Sequence, residues 1–292
     1  MRKSLAIGIG LVAMMFASPA IGDRVTMTTS KDNTLIDSVI TKTTNSNGVG
    51  DAIYAGKTGP FANNGLLRAV LAFDLSAIPA GSTINSVSLT LVMIQTISGD
   101  QTHTLHRVTK DWGQGISEFV GGVGAPAEPG DATWIHTFYP DAFWTNPGGD
   151  FVEAASASTT VGEKFGPCVW SSPGMIADVQ VWVDNPASNF GWLMKGNEID
   201  LLTAKRFASR ENFLLENIPQ LVIDYTPPTP CPADIAPPGG NGTVNVNDLL
   251  AVINAWGACP APCATDIAPP GGNGTVNVND LLAVINAWGA CP

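Results

Sequence analysis

The chain has 292 residues, about twice the ~150 of a typical domain, and 45% are hydrophobic against 13% charged, so two globular units are expected. Fourteen basic residues against twenty-five acidic ones give a formal charge of −11. No basic patch that neutralises several phosphates can be assembled from such a set, which excludes nucleic acid as a partner, and an anionic membrane surface would repel the chain.

Residues 1–22 read as a secretory signal peptide. Arg2-Lys3 supplies the charged start, Leu5 to Phe16 the apolar stretch, and Ala20-Ile21-Gly22 a small-x-small cleavage site. The apolar stretch is 12 residues long, short of the ~20 a membrane span needs. The mature protein is therefore expected outside the cell, free or held at its surface, with no membrane insertion.

Residues 23–226 read mostly as strands. Alternating or β-branched runs fall at Thr34–Ile40, Arg68–Leu75, Ile84–Thr96, Thr102–Val108, Phe190–Lys195 and Leu221–Tyr225. One helix is expected from about Met175 to Val183, with Pro173 near its start and Pro186 past its end. Many short strands with long connections predict a mainly β body, an antiparallel β-sandwich of jelly-roll type. Between Asp111 and Asp150 the chain becomes a loop-rich insertion that holds 7 of the 22 aromatic residues. Long loops on a rigid sheet commonly carry binding residues, so Trp112, Trp134 and Trp144 are expected to stack on sugar rings.

Familiar catalytic patterns are missing from this body. It contains no Gly-x-Ser-x-Gly, no His-Glu-x-x-His and no phosphate loop. His103 and His106 sit three apart on an expected strand and so face opposite sides; with His136 they read as structural or surface residues. A glycosidase needs two carboxylates at a set separation. Asp111, Glu118, Glu128 and Asp131 are available near the insertion, but they read as solvated loop residues and no catalytic residue is assigned. Cys168 reads as a small buried hydrophobe.

Residues 227–230 form a stiff Pro/Thr linker, and residues 231–292 are a duplication. Residues 231–260 and 263–292 agree at 28 of 30 positions with a period of 32. In each copy a turn-rich loop precedes a short helix. Leu249, Val252, Ile253 and Trp256 recur at helical spacing, so Trp256 and Trp288 are expected to bury against the facing copy. The loop matches a calcium loop from its fifth position onward. Asp234, Asn241, Thr243, Asn245 and Asp248 would ligate one ion, and Asp266, Asn273, Thr275, Asn277 and Asp280 a second. Six residues rather than three separate the first and fifth positions, so the expected Ca2+ affinity is weak. Cys231, Cys259, Cys263 and Cys291 suit disulfides in an oxidising compartment, with three connectivities open. The preferred one, Cys231–Cys259 with Cys263–Cys291, clamps each repeat separately.

The repeat, with its Val-Asn-Val-Asn-Asp-Leu-Leu-Ala-Val-Ile-Asn-Ala-Trp-Gly run, resembles dockerin domains. That resemblance implies a duplicated calcium-loop module docking onto a cohesin-like protein or a cell-surface component. The body resembles DNRLRE-type, disaggregatase-related domains. The resemblance is carried by Asp32-Asn33-Thr34-Leu35, the run Arg68 to Leu91, His106-Arg107-Val108-Thr109 with Asp111-Trp112, Ala204-Lys205-Arg206-Phe207 and the closing Leu221 to Tyr225. Ile36-Asp37 stands where the family often has Arg-Glu. It implies a jelly-roll module of secreted, multidomain proteins, some of them linked to acidic matrix polysaccharides. The function expected is a secreted, non-catalytic module that binds extracellular or cell-wall polysaccharide and is docked by its tail. A structural or adhesion protein without a glycan ligand is the alternative, and a polysaccharide-degrading enzyme a more distant one. A uronate ligand would draw on Arg107, Lys110, Arg206 or Arg210.

Overall fold

A computed structural model describes residues 22–37, 44–228 and 231–291. The signal peptide up to residue 21 and the end of the first expected strand, residues 38–40, lie outside the described residues. The chain divides into two compact units between Thr226 and Pro227, the second also taking in Pro79–Thr83. No helix among the described residues is long and apolar enough to cross a membrane.

The body is mainly β. Its ten-stranded sheet comprises β1 (Asp23–Asp37), β2 (Ala52–Lys57), β3 (Leu66–Phe73), β4 (Thr83–Thr96) and β5 (Gln101–Arg107). To these it adds β6 (Ala157–Val161), β7 (Gly166–Trp170), β8 (Trp192–Lys195), β9 (Lys205–Ala208) and β10 (Gln220–Thr226). Helix α1 (Pro173–Asp184) follows β7. Strands run in the order β1-β10-β4-β9-β2-β3-β8-β5-β6, with β7 beside β4, and a β1–β3 pairing closes six of them into a barrel-like ring.

Two strands close the ring by changing partners midway. Asp23–Thr28 of β1 pair antiparallel with β10, and Thr29–Asp37 pair with β3 after an irregularity between Thr29 and Lys31. β2 lies along β9 through Ala52–Ala55 and along β3 at Gly56 and Lys57. Gly56 stands at that switch with φ 119°, and a Cβ there would come within 2.8 Å of the Ala204 Cα. Only glycine takes this bend without strain.

Burial on two faces explains why β3 is apolar without alternation. Ala69, Leu71 and Phe73 point into the main core with Leu89, Leu91, Trp170, Trp192, Phe207 and Ile223. Val70 and Ala72 point the other way, into a second cluster with Leu35, Val108 and Leu193. Helix α1 covers the main core with Met175, Val179, Trp182 and Val183. Its start follows from the sequence: Ser172 caps it by accepting from Met175 N, and Pro173 stands in the first turn.

In the second unit, α2 (Val246–Asn254) and α3 (Val278–Asn286) occupy equivalent places in the two repeats. Each repeat's loop forms a two-residue ladder with the segment after the other repeat's helix: Thr243–Val244 with Gly289–Ala290, and Thr275–Val276 with Gly257–Ala258. The repeats are thus interlocked around Val244, Val252, Val276 and Val284, all fully buried.

That interlocking corrects two expectations. The disulfides are Cys231–Cys291 and Cys259–Cys263, joining the start of one repeat to the end of the other, and not Cys231–Cys259 with Cys263–Cys291. The ladder places Cys291 beside the first loop, its N–H donating to Gly242 O, while Cys259 N donates to Gly274 O. Trp256 and Trp288 are not buried against each other but are each 53% exposed. Both helices end two residues earlier, at Asn254 and Asn286, so these indoles lie beyond the packed turns.

Candidate functional site

Trp112, Trp134 and Trp144 come together, but as packing and not as a platform. All three are under 8% exposed in the second core cluster, where the insertion covers the outer face of β1, β3 and β8. Trp112 Nε1 donates to Phe190 O and Trp144 Nε1 to Thr133 O, both at 2.9 Å. Lys31 Nζ sits 4.5 Å from the Trp112 ring centre and the Arg68 guanidinium 4.7 Å from that of Trp134. Buried to this extent, none of these rings is open to a sugar. The aromatic density of the insertion reflects a satellite core.

The carboxylates near the insertion also have other work. Asp111 pairs with Lys31 at 2.8 Å. Asp131 is fully buried and accepts from Ser117 N and Glu128 N, and burial pushes its carboxyl up. Glu118 and Glu128 are exposed. His103 stacks edge-on against Phe207, and His106 against Phe151, on opposite faces of β5. His136 is buried beside Tyr139 and Phe143. Cys168 is half-buried on β7 with no disulfide partner, its thiol pushed up by burial.

A recess of about 300 Å³ opens instead beside β2, β4 and β9. Register builds it. Arg206 of β9 lies opposite Tyr54 of β2 on one side and Gln95 of β4 on the other, so three residues distant in sequence are lateral neighbours. Leu67, Leu202 and Ala204 give it apolar walls, and Lys57 and Gly122 stand at its edge. The Arg206 guanidinium is aimed by Asp51, whose two oxygens accept from NH2 at 2.7 and 2.8 Å, while NH1 donates to Gln95 Oε1 at 3.2 Å. Two buried polar atoms are left over: Arg206 Nε has no partner, and the Tyr54 hydroxyl lies by the Gly121 backbone without a well-formed hydrogen bond. Burial pushes that phenol up, so it remains a neutral donor at physiological pH. Among the described residues no Asp, Glu or His lines the recess.

Of the four cations considered for a uronate, only Arg206 reaches this recess. Arg107 is bonded to Asp178 at 3.0 Å, Arg210 to Glu211 at 3.2 Å, and Lys110 donates to Phe143 O at 2.7 Å. Tyr54 and Lys57 carry no signal in the sequence because β2 is a short strand without clear periodicity, whereas Gln95 lies in an expected strand but nothing local shows that it faces Arg206. A second feature also went unseen. Asp32, 1% exposed, accepts from Arg210 N and Thr29 Oγ1 through Oδ2 while Oδ1 has no partner. Burial, with Glu211 nearby, raises its carboxyl to about 7.

In the second unit the residues expected to hold calcium are engaged with the chain itself. Asp248 is fully buried; its Oδ1 accepts from Ile235 N and Ala236 N at 2.7 and 2.8 Å, and Oδ2 from Asn245 N at 2.8 Å. Asn245 caps α2 by accepting from Asn247 N, which completes a capping box with Asp248. Asp234 accepts from Asn241 N and Gly242 N, and Asn241 Oδ1 from Thr243 N. Thr243 O accepts from Asn245 Nδ2. Calcium takes about 6–8 oxygens, and this set, with its acceptors spent on N–H groups, does not fit it.

The chain matches no protein-family model and no curated protein.

Proposed function

We propose that this protein is a secreted, non-catalytic module that binds extracellular or cell-wall polysaccharide through the recess beside Tyr54, Gln95 and Arg206, with the duplicated second unit docking it to a partner. The observation that carries the reading is the recess itself. Apolar walls beside a few convergent polar groups, here Lys57, Gln95 and the Arg206 guanidinium, are the usual make-up of a small-molecule site. Lys57 adds a positive charge beside the recess, its ammonium donating to Ile199 O at 3.3 Å, which favours a glycan bearing carboxylates.

The body's closed antiparallel ring is compatible with the jelly-roll reading, in which such a module belongs to a larger secreted assembly. Its docking half rests on the second unit's apolar surface. Val246, Leu250, Ile253 and Trp256, and their counterparts Val278, Leu282, Ile285 and Trp288, are each 46–53% exposed. These faces suit a cohesin-like domain or a cell-surface component.

The test is affinity electrophoresis of the whole protein through neutral and acidic polysaccharides, with reducing ends assayed in parallel. Retardation without released ends is expected, strongest on a uronate polymer. Lys57→Ala and Gln95→Ala should each abolish it without lowering the unfolding temperature. Retardation that survives both substitutions, or release of reducing ends, would overturn the assignment.

A further inference from the structure

We infer that the duplicated unit keeps its fold without calcium: in each repeat the two aspartates standing where metal ligands belong clasp backbone amides in the ion's place. The argument rests on a protein donor at every expected ligand and on the repetition of that pattern. In the second copy Asp280 accepts from Ile267 N, Ala268 N and Asn277 N, each at 2.8 Å. Asp266 accepts from Asn273 N and Gly274 N, and Asn273 Oδ1 from Thr275 N. Asn277 Oδ1 accepts from Asn279 N, and Thr275 O from Asn277 Nδ2. Each of the ten expected ligands therefore has a protein donor.

Charge sense points the same way. An amide N–H presents its positive end to the carboxylate, so three amides converging on Asp248 or Asp280 act as a cation would, and they disfavour a second positive charge there. The six-residue stretch Ile235 to Gly240 has a clear role in this arrangement. Among the residues it adds is the cis Ala236–Pro237 turn, whose Ala236 N–H feeds Asp248 and whose Ala236 O takes the Asn241 amide. The crossed disulfides and swapped ladders then hold the copies together.

The consequence is a docking unit indifferent to chelators. The experiment is amide hydrogen exchange on the whole, disulfide-intact protein, read at tail peptides in excess EDTA and in calcium chloride well above the ~1 mM of the weakest extracellular sites. Equal protection of Ile235, Ala236, Asn245 and their counterparts in both buffers is expected. In Asp248→Asn/Asp280→Asn, where one carboxylate oxygen per site becomes an NH2 facing an N–H, protection should drop about tenfold or more, and calcium should not restore it. Protection that appears only with calcium, or EDTA that reproduces the variant's loss in the native protein, would overturn the inference. Should the double variant fail to fold, the chelator comparison on the native protein decides alone. Glycan retardation by the body does not enter this readout, so the two proposals fail separately.

Discussion

Replacing Asp32 by Asn is expected to stabilise the body at neutral and alkaline pH and to remove a distinct part of its pH dependence. The Asp32 carboxyl is 1% exposed, faces no ammonium or guanidinium bonded to it, and carries one oxygen with no partner. Desolvation, then the charge of Glu211, raises it from 3.8 to about 7. A carboxyl whose folded value lies above its unfolded one adds stability that is fully present below the unfolded value and is lost as pH rises through the folded one. The loss therefore runs from about pH 4 to about pH 7 and levels off above, and three decades of proton affinity correspond to about 4 kcal/mol. Asn keeps an acceptor for Arg210 N and Thr29 Oγ1 and puts an uncharged NH2 where Oδ1 has no partner. The assay is urea unfolding of both proteins, followed by tryptophan fluorescence, at steps from about pH 4 to about pH 8. The stability difference, variant minus parent, should climb by several kcal/mol across that range. A difference that stays flat would refute the reasoning, because it would mean Asp32 ionises in the fold as it does in the open chain.

Other substitutions test the remaining parts. His103, buried between Gln101 O and Ala55 O, has its ring lowered to about 4 by desolvation, so it contributes stability present above about pH 6.5 and lost as pH falls toward 4. His103→Gln should flatten that acid limb, the opposite slope to Asp32, in the same urea series. Trp112→Ala and Trp144→Ala are each expected to cost about 3–5 kcal/mol of body stability, while glycan retardation persists at temperatures where the variants remain folded. Peptide mapping without reductant should return Cys231–Cys291 and Cys259–Cys263, with one titratable thiol at Cys168. Trp256→Ala/Trp288→Ala should leave the unfolding of the second unit nearly unchanged and abolish its docking, since both indoles face solvent.

Much of the local structure is legible in the residues. The alternation of Ile84 to Thr96 predicts β4, and the run after Arg68 predicts β3; the shared face of Ile176, Val179 and Val183, with Pro173 and Pro186 at the ends, marks α1. The near-perfect duplication after residue 230 announces a paired unit. These features are local, because which face of a strand or helix is apolar is written in the spacing of its own side chains. β2, β6, β7 and β9 were missed, being short and interrupted by Gly, Pro or polar residues, and they form only because neighbouring strands supply their hydrogen bonds.

Tertiary structure alone decided what covers each apolar group. Trp112, Trp134 and Trp144 carry the same sequence signature whether they line a cleft or fill a core; Val70, Ala72 and Leu193 beneath them made the choice. The cysteines have one spacing under any pairing, and the two-fold interlocking of the repeats selected the crossed one. Tyr54, Gln95 and Arg206 become neighbours only when β9 inserts between β2 and β4. Local sequence sets the chemistry each segment presents, whereas contacts between segments far apart along the chain depend on the whole set of pairings that buries the core together.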